Sequence, residues 1–234
     1  MRTFLIAAIG AASIATPATG ATRNFGVNSF DKIRVEGPYK IKLTTGVPVF
    51  ARASGSSSAL DRVSIESQGS TLIVHPNRSS WGGYPGQNSG TIEIEIGTHE
   101  LISAWLNGSG VLAINKVKGL SFDLSVQGSG STSIAQVDVD QLNVTVAGTA
   151  NATLAGRTAK TTAILRGISS LDATSLSSKD ATIGADGAAT IRAEVTNSAK
   201  IDASGPATIA FTGKPACTVR ASGSTSVSGC KSTQ

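Results

Sequence analysis

A glycine recurs about every twenty residues through the second half of the chain. Successive members of the series are 20, 20, 19, 20, 18 and 18 residues apart, and they are Gly108, Gly128, Gly148, Gly167, Gly187, Gly205 and Gly223. A fixed period of this length is the signature of a repeat architecture, in which one short unit stacks on copies of itself. Because each coil of such a fold contacts mainly its neighbours, we predict a β-solenoid with coils of about 20 residues.

Apolar residues lie at matching distances from these glycines. Offsets of 14, 16 and 18 residues predict one interior ladder, which comprises Phe122, Leu124, Val126, Leu142, Val144, Val146, Ala181, Ile183 and Ala185. An offset of 6 residues predicts a second ladder of Ile114, Ile134, Leu154 and Phe211. At the offsets of the first ladder, the third coil presents Thr162, Ile164 and Arg166, and Arg166 is turned outward or lies in a bulge. At the same face, the last coils present Ile201 with Ala203 and Val219 with Ala221. Glycine suits the corner beside the ladders because it tolerates positive φ.

Residues 22–105 lack the repeat and show period-two alternation instead. Ile92, Ile94 and Ile96, for example, alternate with Glu93 and Glu95. Such alternation is typical of strands with one buried face and one solvated face. We therefore predict a single all-β domain over residues 22–234, in which the strands of residues 22–105 cap and lead into a parallel β-helix over residues 106–234.

Residues 1–21 have the pattern of a secretory signal peptide. Arg2 precedes an apolar run from Phe4 to Ala15, and Pro17 and small residues follow. The run is shorter than the ~20 residues that a membrane-spanning helix needs, and no second apolar run of that length follows it. We therefore expect a mature chain without a transmembrane segment, exported to the periplasm, the cell surface or the extracellular space.

Cys217 and Cys230 are the two cysteines of the chain. An even count in an exported protein favours a disulfide. In the repeat register Cys230 falls beside Lys214, three residues before Cys217, which brings the two thiols together across adjacent coils. A disulfide there would pin a terminal coil that has no further neighbour. The rival interpretation is a metal or redox site, for which the chain offers neither a CxxC spacing nor a nearby histidine.

Several strand-and-turn segments carry a family resemblance. They are Phe30–Gly37, Val49–Gly55, Leu60–Val63 with the Gly69 hairpin, and Asn107-Gly108-Ser109-Gly110. These segments resemble the bacterial family called "putative auto-transporter adhesin, head GIN domain" (DUF2807), over roughly residues 25–231. The resemblance implies a right-handed parallel β-helix that is exported, with adhesion indicated by the family name and no catalytic residues to carry over.

The charge distribution argues against nucleic acid as a partner. The formal net charge is +5, but the basic residues are scattered singly, whereas a nucleic-acid-binding protein needs a dense basic face. Opposite charges at equal offsets in successive coils predict stacking across the rungs, of Lys118 with Asp138 and of Asp140 with Lys160. Exposed pairs of this kind contribute about 0.2–1 kcal/mol each, which suits a role in keeping the register.

The acidic residues and histidines do not form a recognisable catalytic or metal site. Two carboxylate pairs lie two residues apart on predicted strands: Glu93 with Glu95 and Asp138 with Asp140. Any strand brings alternate residues within the distance of a glycosidase pair, so this spacing identifies nothing. The aspartates do not recur at a constant offset from the repeat glycines. His75 and His99 have no serine partner in a known catalytic motif. We therefore predict no catalytic residue, no metal and no cofactor.

One segment has the composition of a binding loop. Pro76 to Gly90 is rich in Gly, Ser and Pro and carries Arg78, Trp81 and Tyr84. Exposed aromatic rings beside a guanidinium group suit the binding of sugars and flat polymers, so we predict weak ligand contact at these three residues. The alternative is that Trp81 folds back as a lid over the N-terminal edge of the repeat.

These observations predict a non-enzymatic envelope protein of the adhesion type. We expect its partner to be an envelope polysaccharide or a surface protein. The alternative is a carbohydrate-active lyase or hydrolase, because parallel β-helices also carry such enzymes.

Overall fold

The computed structural model describes residues 21–77 and 92–231 of the chain. Residues 1–20 of the predicted signal peptide, and the predicted ligand contacts Arg78, Trp81 and Tyr84, lie outside these ranges. Within them, the elements in chain order are β1 (Ala21–Phe25), β2 (Lys32–Glu36), β3 (Lys40–Thr45), β4 (Phe50–Gly55), α1 (Ser57–Leu60), β5 (Val63–Gln68), β6 (Thr71–Pro76), β7 (Glu93–Thr98), β8 (Ser103–Gly108), β9 (Val111–Gly128), β10 (Ser131–Gly148), β11 (Asn151–Gly167), β12 (Ser170–Asp186), β13 (Thr190–Ser204), β14 (Thr208–Thr212), β15 (Ala216–Ser222) and β16 (Ser226–Ser228).

The strands form a β-solenoid of about six turns with coils of about 20 residues, as the glycine spacing predicts. One sheet face, which we name the tryptophan face after Trp105, runs β5-β6-β2-β8 and continues through the second halves of β9 to β13 into β15. The other, the hydroxyl face, runs β1-β4-β7-β3 and continues through the first halves of β9 to β13 into β14 and β16. A short corner side joins the two halves of each long strand, at 116–119 in β9 and 136–139 in β10.

The rungs at the N-terminal end are interleaved in sequence. β2 pairs in parallel with β6 on one side and with β8 on the other, while β3 pairs in parallel with β7 and β9. The rung made by β2 and β3 is therefore first in the chain but lies inside the stack. Antiparallel pairing of β1 with β4, β4 with β7 and β5 with β6 closes this end and covers the edges of the parallel rungs.

The repeat glycines stack directly on one another. All seven have positive φ, and Gly37 adds an eighth member at the N-terminal end. A Cβ atom on Gly148, whose φ is +89°, would lie 2.4 Å from the carbonyl oxygen of Gly128. L-residues rarely adopt this conformation, and the neighbouring backbone leaves no space for a side chain. The periodic glycine is thus a steric requirement of each coil.

Both predicted interior ladders are buried, and so are Ile201 and Ala203. In β11 the prediction is wrong by one residue: the inward set is Thr161, Ala163 and Leu165, whereas Thr162 and Ile164 are not buried. Arg166 points outward, which is one of the two alternatives predicted for it. The reason for the wrong offset is a register shift between Ile134 and Val137 of β10, where β11 has one residue fewer and turns at Gly156. Because side chains alternate along a strand, a slip of one residue exchanges the inward and outward sets.

The C-terminal end of the solenoid is closed by a disulfide, whereas antiparallel strands close the N-terminal end. Val219 and Ala221 are exposed rather than buried, because β15 pairs with β13 alone among the described strands and no further rung of the described chain covers it. The predicted disulfide between Cys217 and Cys230 is present and ties β15 to the residues after β16. The backbone N–H of Lys231 also donates to the carbonyl oxygen of Pro215 at 2.9 Å. A covalent bond therefore fixes this last coil.

Candidate binding surface

The outward side chains of the tryptophan face form ranks that follow the glycine ladder. Residues three positions before each stacked glycine lie in register across the rungs. From the N-terminal end this rank comprises Arg34, Trp105, Ser125, Thr145, Ile164, Gly184, Asp202 and Arg220. Successive members lie about 4.8 Å apart, as neighbouring strands of a sheet do. The rank therefore places a cation, an aromatic ring and two small hydroxyl residues side by side.

Trp105 is half-buried and is held by a charged pair. The guanidinium carbon of Arg34 lies 3.9 Å from the centroid of the Trp105 ring, which is a cation–π contact. Arg34 Nε also donates to Glu36 Oε1 at 2.7 Å, so that Glu36 fixes the guanidinium group against one face of the indole. On the other side of Trp105 the register places Ser125, which is small.

Sequence reasoning missed the cation–π contact because Arg34 and Trp105 are 71 residues apart. A signal was nonetheless present. Each residue precedes a glycine by three positions, Gly37 for Arg34 and Gly108 for Trp105. Counting Gly37 as a member of the repeat would have placed the two side chains in one rank.

Polar side chains surround Trp105 within one rung. The residues two positions to either side of Arg34, Trp105 and Ser125 are Lys32, Glu36, Ser103, Asn107, Asp123 and Gln127. Asn143 Nδ2 donates to Asp123 Oδ1 at 2.8 Å, and Gln127 Nε2 donates to Ser125 Oγ at 3.4 Å. The indole thus lies in a setting of hydroxyl, amide, carboxylate and guanidinium groups.

The hydroxyl face carries a second regular rank. It comprises Ser131, Asn151, Ser170, Thr190, Thr208 and Ser226, one from each of six successive rungs. Within residues 21–77 and 92–231, none of these side chains makes a hydrogen bond to another protein group. Their hydrogen-bonding capacity is therefore free for solvent or for a partner.

Two clefts lie along the corner side. The larger has a volume of about 490 Å³ and is lined by Thr45, Gly46, His99, Glu100, Leu101, Lys116, Lys118 and Gly119. The smaller has a volume of about 280 Å³ and is lined by Asp138, Val139, Asp140, Arg157, Thr158, Ala159, Ser177 and Lys179. Both are lined in part by charged side chains, and they lie along the same edge of the solenoid, because Lys118 and Asp138 are register partners on neighbouring rungs.

Asp138 is bound by an arginine rather than poised for proton transfer. Arg157 Nε donates to Asp138 Oδ1 at 2.8 Å. This hydrogen bond, with the charges of Arg157 and Lys118, holds the pKa of Asp138 below its usual value. Asp138 is therefore a carboxylate at neutral pH and not a proton donor.

The predicted charge stacking is confirmed for one pair and wrong for the other. Lys118 lies opposite Asp138 in the register of β9 and β10. Lys160 lies opposite Gln141 rather than Asp140, because of the one-residue slip in β11, and its other neighbour is Asp180.

The remaining acidic and histidine side chains are dispersed. Glu93 pairs with the ammonium group of Lys40, and the hydrogen bond between them lowers the pKa of Glu93. His75 Nε2 lies 3.4 Å from Glu66 Oε1, whereas His99 lines the larger corner cleft. In the part of the chain that the structure describes, no group of three or more His, Cys, Asp or Glu side chains is arranged to hold a metal ion.

Residues 29–215 match the family described as "Putative auto-transporter adhesin, head GIN domain" (DUF2807), which covers most of the chain. The chain belongs to this family. Among curated proteins, none is significantly similar to this head GIN domain. Across the described ranges, no helix of the domain is both long enough and apolar enough to span a bilayer.

Solved structures share the fold of this head GIN domain. A "putative adhesin" from Bacteroides fragilis superposes with a TM-score of 0.77 at 18% identity, over 90% of this chain and 97% of that chain. A "putative lipid binding protein" from Parabacteroides distasonis gives a TM-score of 0.71 at 18% identity, over 90% and 96% of the two chains. A "putative adhesin" from Parabacteroides merdae gives 0.70 at 13% identity, over 90% and 95%. At these identities the likeness establishes the fold alone.

Proposed function

We propose that this head GIN domain is an exported, non-enzymatic binding domain of the cell envelope. It adheres through its outward faces to an extended partner, an envelope polysaccharide or a surface protein. The observation that carries the proposal is the rank of free polar side chains on the hydroxyl face. Six successive rungs place hydroxyl or amide groups in one line of about 24 Å, which suits a long ligand better than a small substrate.

The carboxylates support a binding role over the alternative of a carbohydrate-active enzyme. A glycosidase needs a carboxylic acid whose pKa is raised, so that it can protonate the leaving group. Among the described carboxyl groups, every one with a shifted pKa is shifted downward: Glu66, Glu93, Asp138, Asp172 and Asp180. The causes are hydrogen bonds from serine, lysine, arginine, threonine and asparagine side chains, which favour the ionised form.

The names of the similar structures point the same way. Two of the three are called adhesins, and the family description also names an adhesin. Export through the signal peptide of residues 1–21 would deliver the domain to the periplasm or the cell surface, where such partners lie. The contact of Arg78, Trp81 and Tyr84 with a ligand stays a prediction.

The proposal is tested by co-sedimentation of the purified mature protein with isolated envelope fractions: outer membranes, peptidoglycan sacculi and extracted polysaccharide. We expect retention on at least one fraction and no release of soluble fragments. Double substitution of Trp81→Ala and Tyr84→Ala in the same assay tests the predicted loop contact. Passage of the wild-type protein through every fraction would contradict the proposal, as would the release of reducing sugar ends.

A further inference from the structure

We propose that the tryptophan face contains a binding site for an uncharged β-linked oligosaccharide, centred on Trp105. The site, here named the Trp105 platform, comprises Arg34, Trp105, Asp123, Ser125, Gln127 and Asn143. The inference rests on the proposed function, since it names the ligand class of that binding surface. It differs from the predicted loop contact, because every residue of the platform lies on a strand of the solenoid.

The ring of Trp105 is the apolar element of the platform. The face of an indole ring is electron-rich, and the C–H face of a pyranose ring is apolar and weakly electropositive, so the two stack. Arg34 occupies one face of the indole at 3.9 Å. The other side faces the rank of Ser125 and Thr145, whose small side chains leave room above the sheet for a sugar ring.

The polar residues beside that space match the hydroxyl groups of a sugar. Asp123 and Asn143 are joined by a hydrogen bond of 2.8 Å and lie on one side of Ser125. Gln127 lies on the other side and donates to Ser125 Oγ, which leaves its carbonyl oxygen free to accept. Planar amide and carboxylate groups therefore flank the position next to the indole, and each offers acceptors or donors toward a ring hydroxyl.

The charges around Trp105 favour an uncharged ligand. Two bases, Lys32 and Arg34, and two acids, Glu36 and Asp123, lie within one rung of the indole, so their formal charges cancel. Arg34 is already engaged by Glu36. The platform thus lacks the excess of positive charge that an acidic polysaccharide or a phosphate group would need.

The arrangement of the polar groups favours an extended, β-linked chain. Arg34 lies over one face of the indole, so the plane of that ring lies across the rank. A sugar ring stacked on the opposite face therefore extends its chain parallel to the strands, over Ser125 and between Asp123 and Gln127. An extended β-1,4-linked glycan is a flat ribbon that lies along this direction, whereas a compact or branched glycan would leave it after the stacked ring.

The test uses the full mature protein and two soluble probes, cellohexaose and chitohexaose. Because the chain has two tryptophans, Trp81→Phe leaves Trp105 as the sole tryptophan reporter of intrinsic fluorescence. We expect a saturable change in its emission with at least one probe. In calorimetric titrations, Trp105→Ala should lower the affinity by about tenfold or more, and Gln127→Ala by a smaller factor.

A matched control is Leu120→Ala, which removes an exposed apolar side chain from the corner side and should leave the affinity unchanged. Circular dichroism establishes that each variant is folded. The inference is overturned if folded Trp105→Ala binds the probes as the wild type does, or if only the pair Trp81→Ala and Tyr84→Ala abolishes binding. It is also overturned if the wild type binds neither neutral probe, whether or not it binds polygalacturonate. In each of these results the proposed function survives as long as the protein still co-sediments with envelope material.

Discussion

The two ends of the solenoid are stabilised by different means. The N-terminal rungs have large aliphatic interiors, such as Ile33, Ile41 and Leu43, and are closed by antiparallel strands. The C-terminal rungs place alanine at many of the inward positions, including Ala181 and Ala199, and are closed by a disulfide. The glycine ladder runs on through these thinner rungs. In the C-terminal rungs, where the hydrophobic core is smaller, the fold is therefore maintained by regular backbone hydrogen bonds between rungs and by the stacked glycine corners.

The small inward side chains of the C-terminal coils leave a void in the core. An apolar void of about 10 Å³ lies among Ala163, Ala173, Ile183 and their neighbours, which is at the lower limit for holding one water molecule. Outside the core, aspartates of the C-terminal coils hold the rungs together. Asp180 accepts hydrogen bonds from Asn197 and Ser198 of the next coil. These exposed bonds are individually weak, so the end of the chain depends on its disulfide.

The largest expected effect comes from the feature that both regions share, the glycine ladder. Gly148→Ala places a Cβ atom 2.4 Å from the carbonyl oxygen of Gly128 at a φ of +89°. We expect a loss of at least about 3 kcal/mol in the free energy of unfolding, or a failure to fold. The matched control is Gly26→Ala, because a Cβ atom added to Gly26 would have no atom of the described chain within 4 Å. Equal melting temperatures of the two variants would contradict a steric role for the ladder.

Truncation of one large core residue at each end sharpens the comparison. Leu106 on β8 and Ile209 on β14 are both almost fully buried. Leu106→Ala should cost about 2–5 kcal/mol, and Ile209→Ala should fall in the lower part of that range, because the surroundings of β14 relax more easily near the last coil. Urea unfolding followed by circular dichroism measures both values. A larger cost for Ile209→Ala would show that the C-terminal end is the more tightly packed.

Removal of the disulfide should affect one end only. Replacing both Cys217 and Cys230 by serine frees a loop of about 13 residues, which corresponds to about 3 kcal/mol in the chain-entropy description. Hydrogen exchange should accelerate in β15 and β16 and stay unchanged in β2 and β3. Acceleration over the whole molecule would mean that the last coil is coupled to the global unfolding of the domain.

The smallest expected effect is an acid-sensitive weakening of the C-terminal coils. Hydrogen bonds from Ser198 and Asn197 lower the pKa of Asp180 in the folded state. A group with a depressed folded pKa stabilises the fold above its unfolded pKa, about 4, and this contribution is lost as the pH falls through the folded value. The melting temperature of Asp180→Asn should therefore fall less than that of the wild type between pH 6 and pH 2.5. Equal decreases in melting temperature for the variant and the wild type would show that Asp180 does not contribute to the acid sensitivity.

Much of the fold was predictable because the repeat fixes it locally. The seven glycines set the period, and the offsets of Leu142 and Ile183 identified the inward face without knowledge of any long-range contact. The slip in β11 was not predictable from a constant offset, since the missing residue lies at the corner that Gly156 forms. The position of Val219 followed the pattern, but its exposure reflects that no further described rung covers β15.

The N-terminal rungs and the candidate site were harder to predict for a related reason. β2 pairs with β6 and β8, which lie far along the chain, and no repeated sequence motif indicates these pairings. The contact between Arg34 and Trp105 depends on this interleaving, and its one sequence signal is that each residue precedes a stacked glycine, Gly37 or Gly108, by three positions. Local composition favours Trp81 and Tyr84 as ligand contacts, whereas nothing beside Trp105 in the sequence marks it as one. Its setting is visible only once the rungs are stacked.

The central claim is that the domain binds an envelope polymer and does not cleave it. The most direct measurement is the molar-mass profile of envelope and plant polysaccharides incubated with the purified mature protein, by size-exclusion chromatography with light scattering. The account predicts that at least one polymer shifts to higher mass and carries the protein with it. A shift of any polymer to lower mass would establish cleavage and contradict the account.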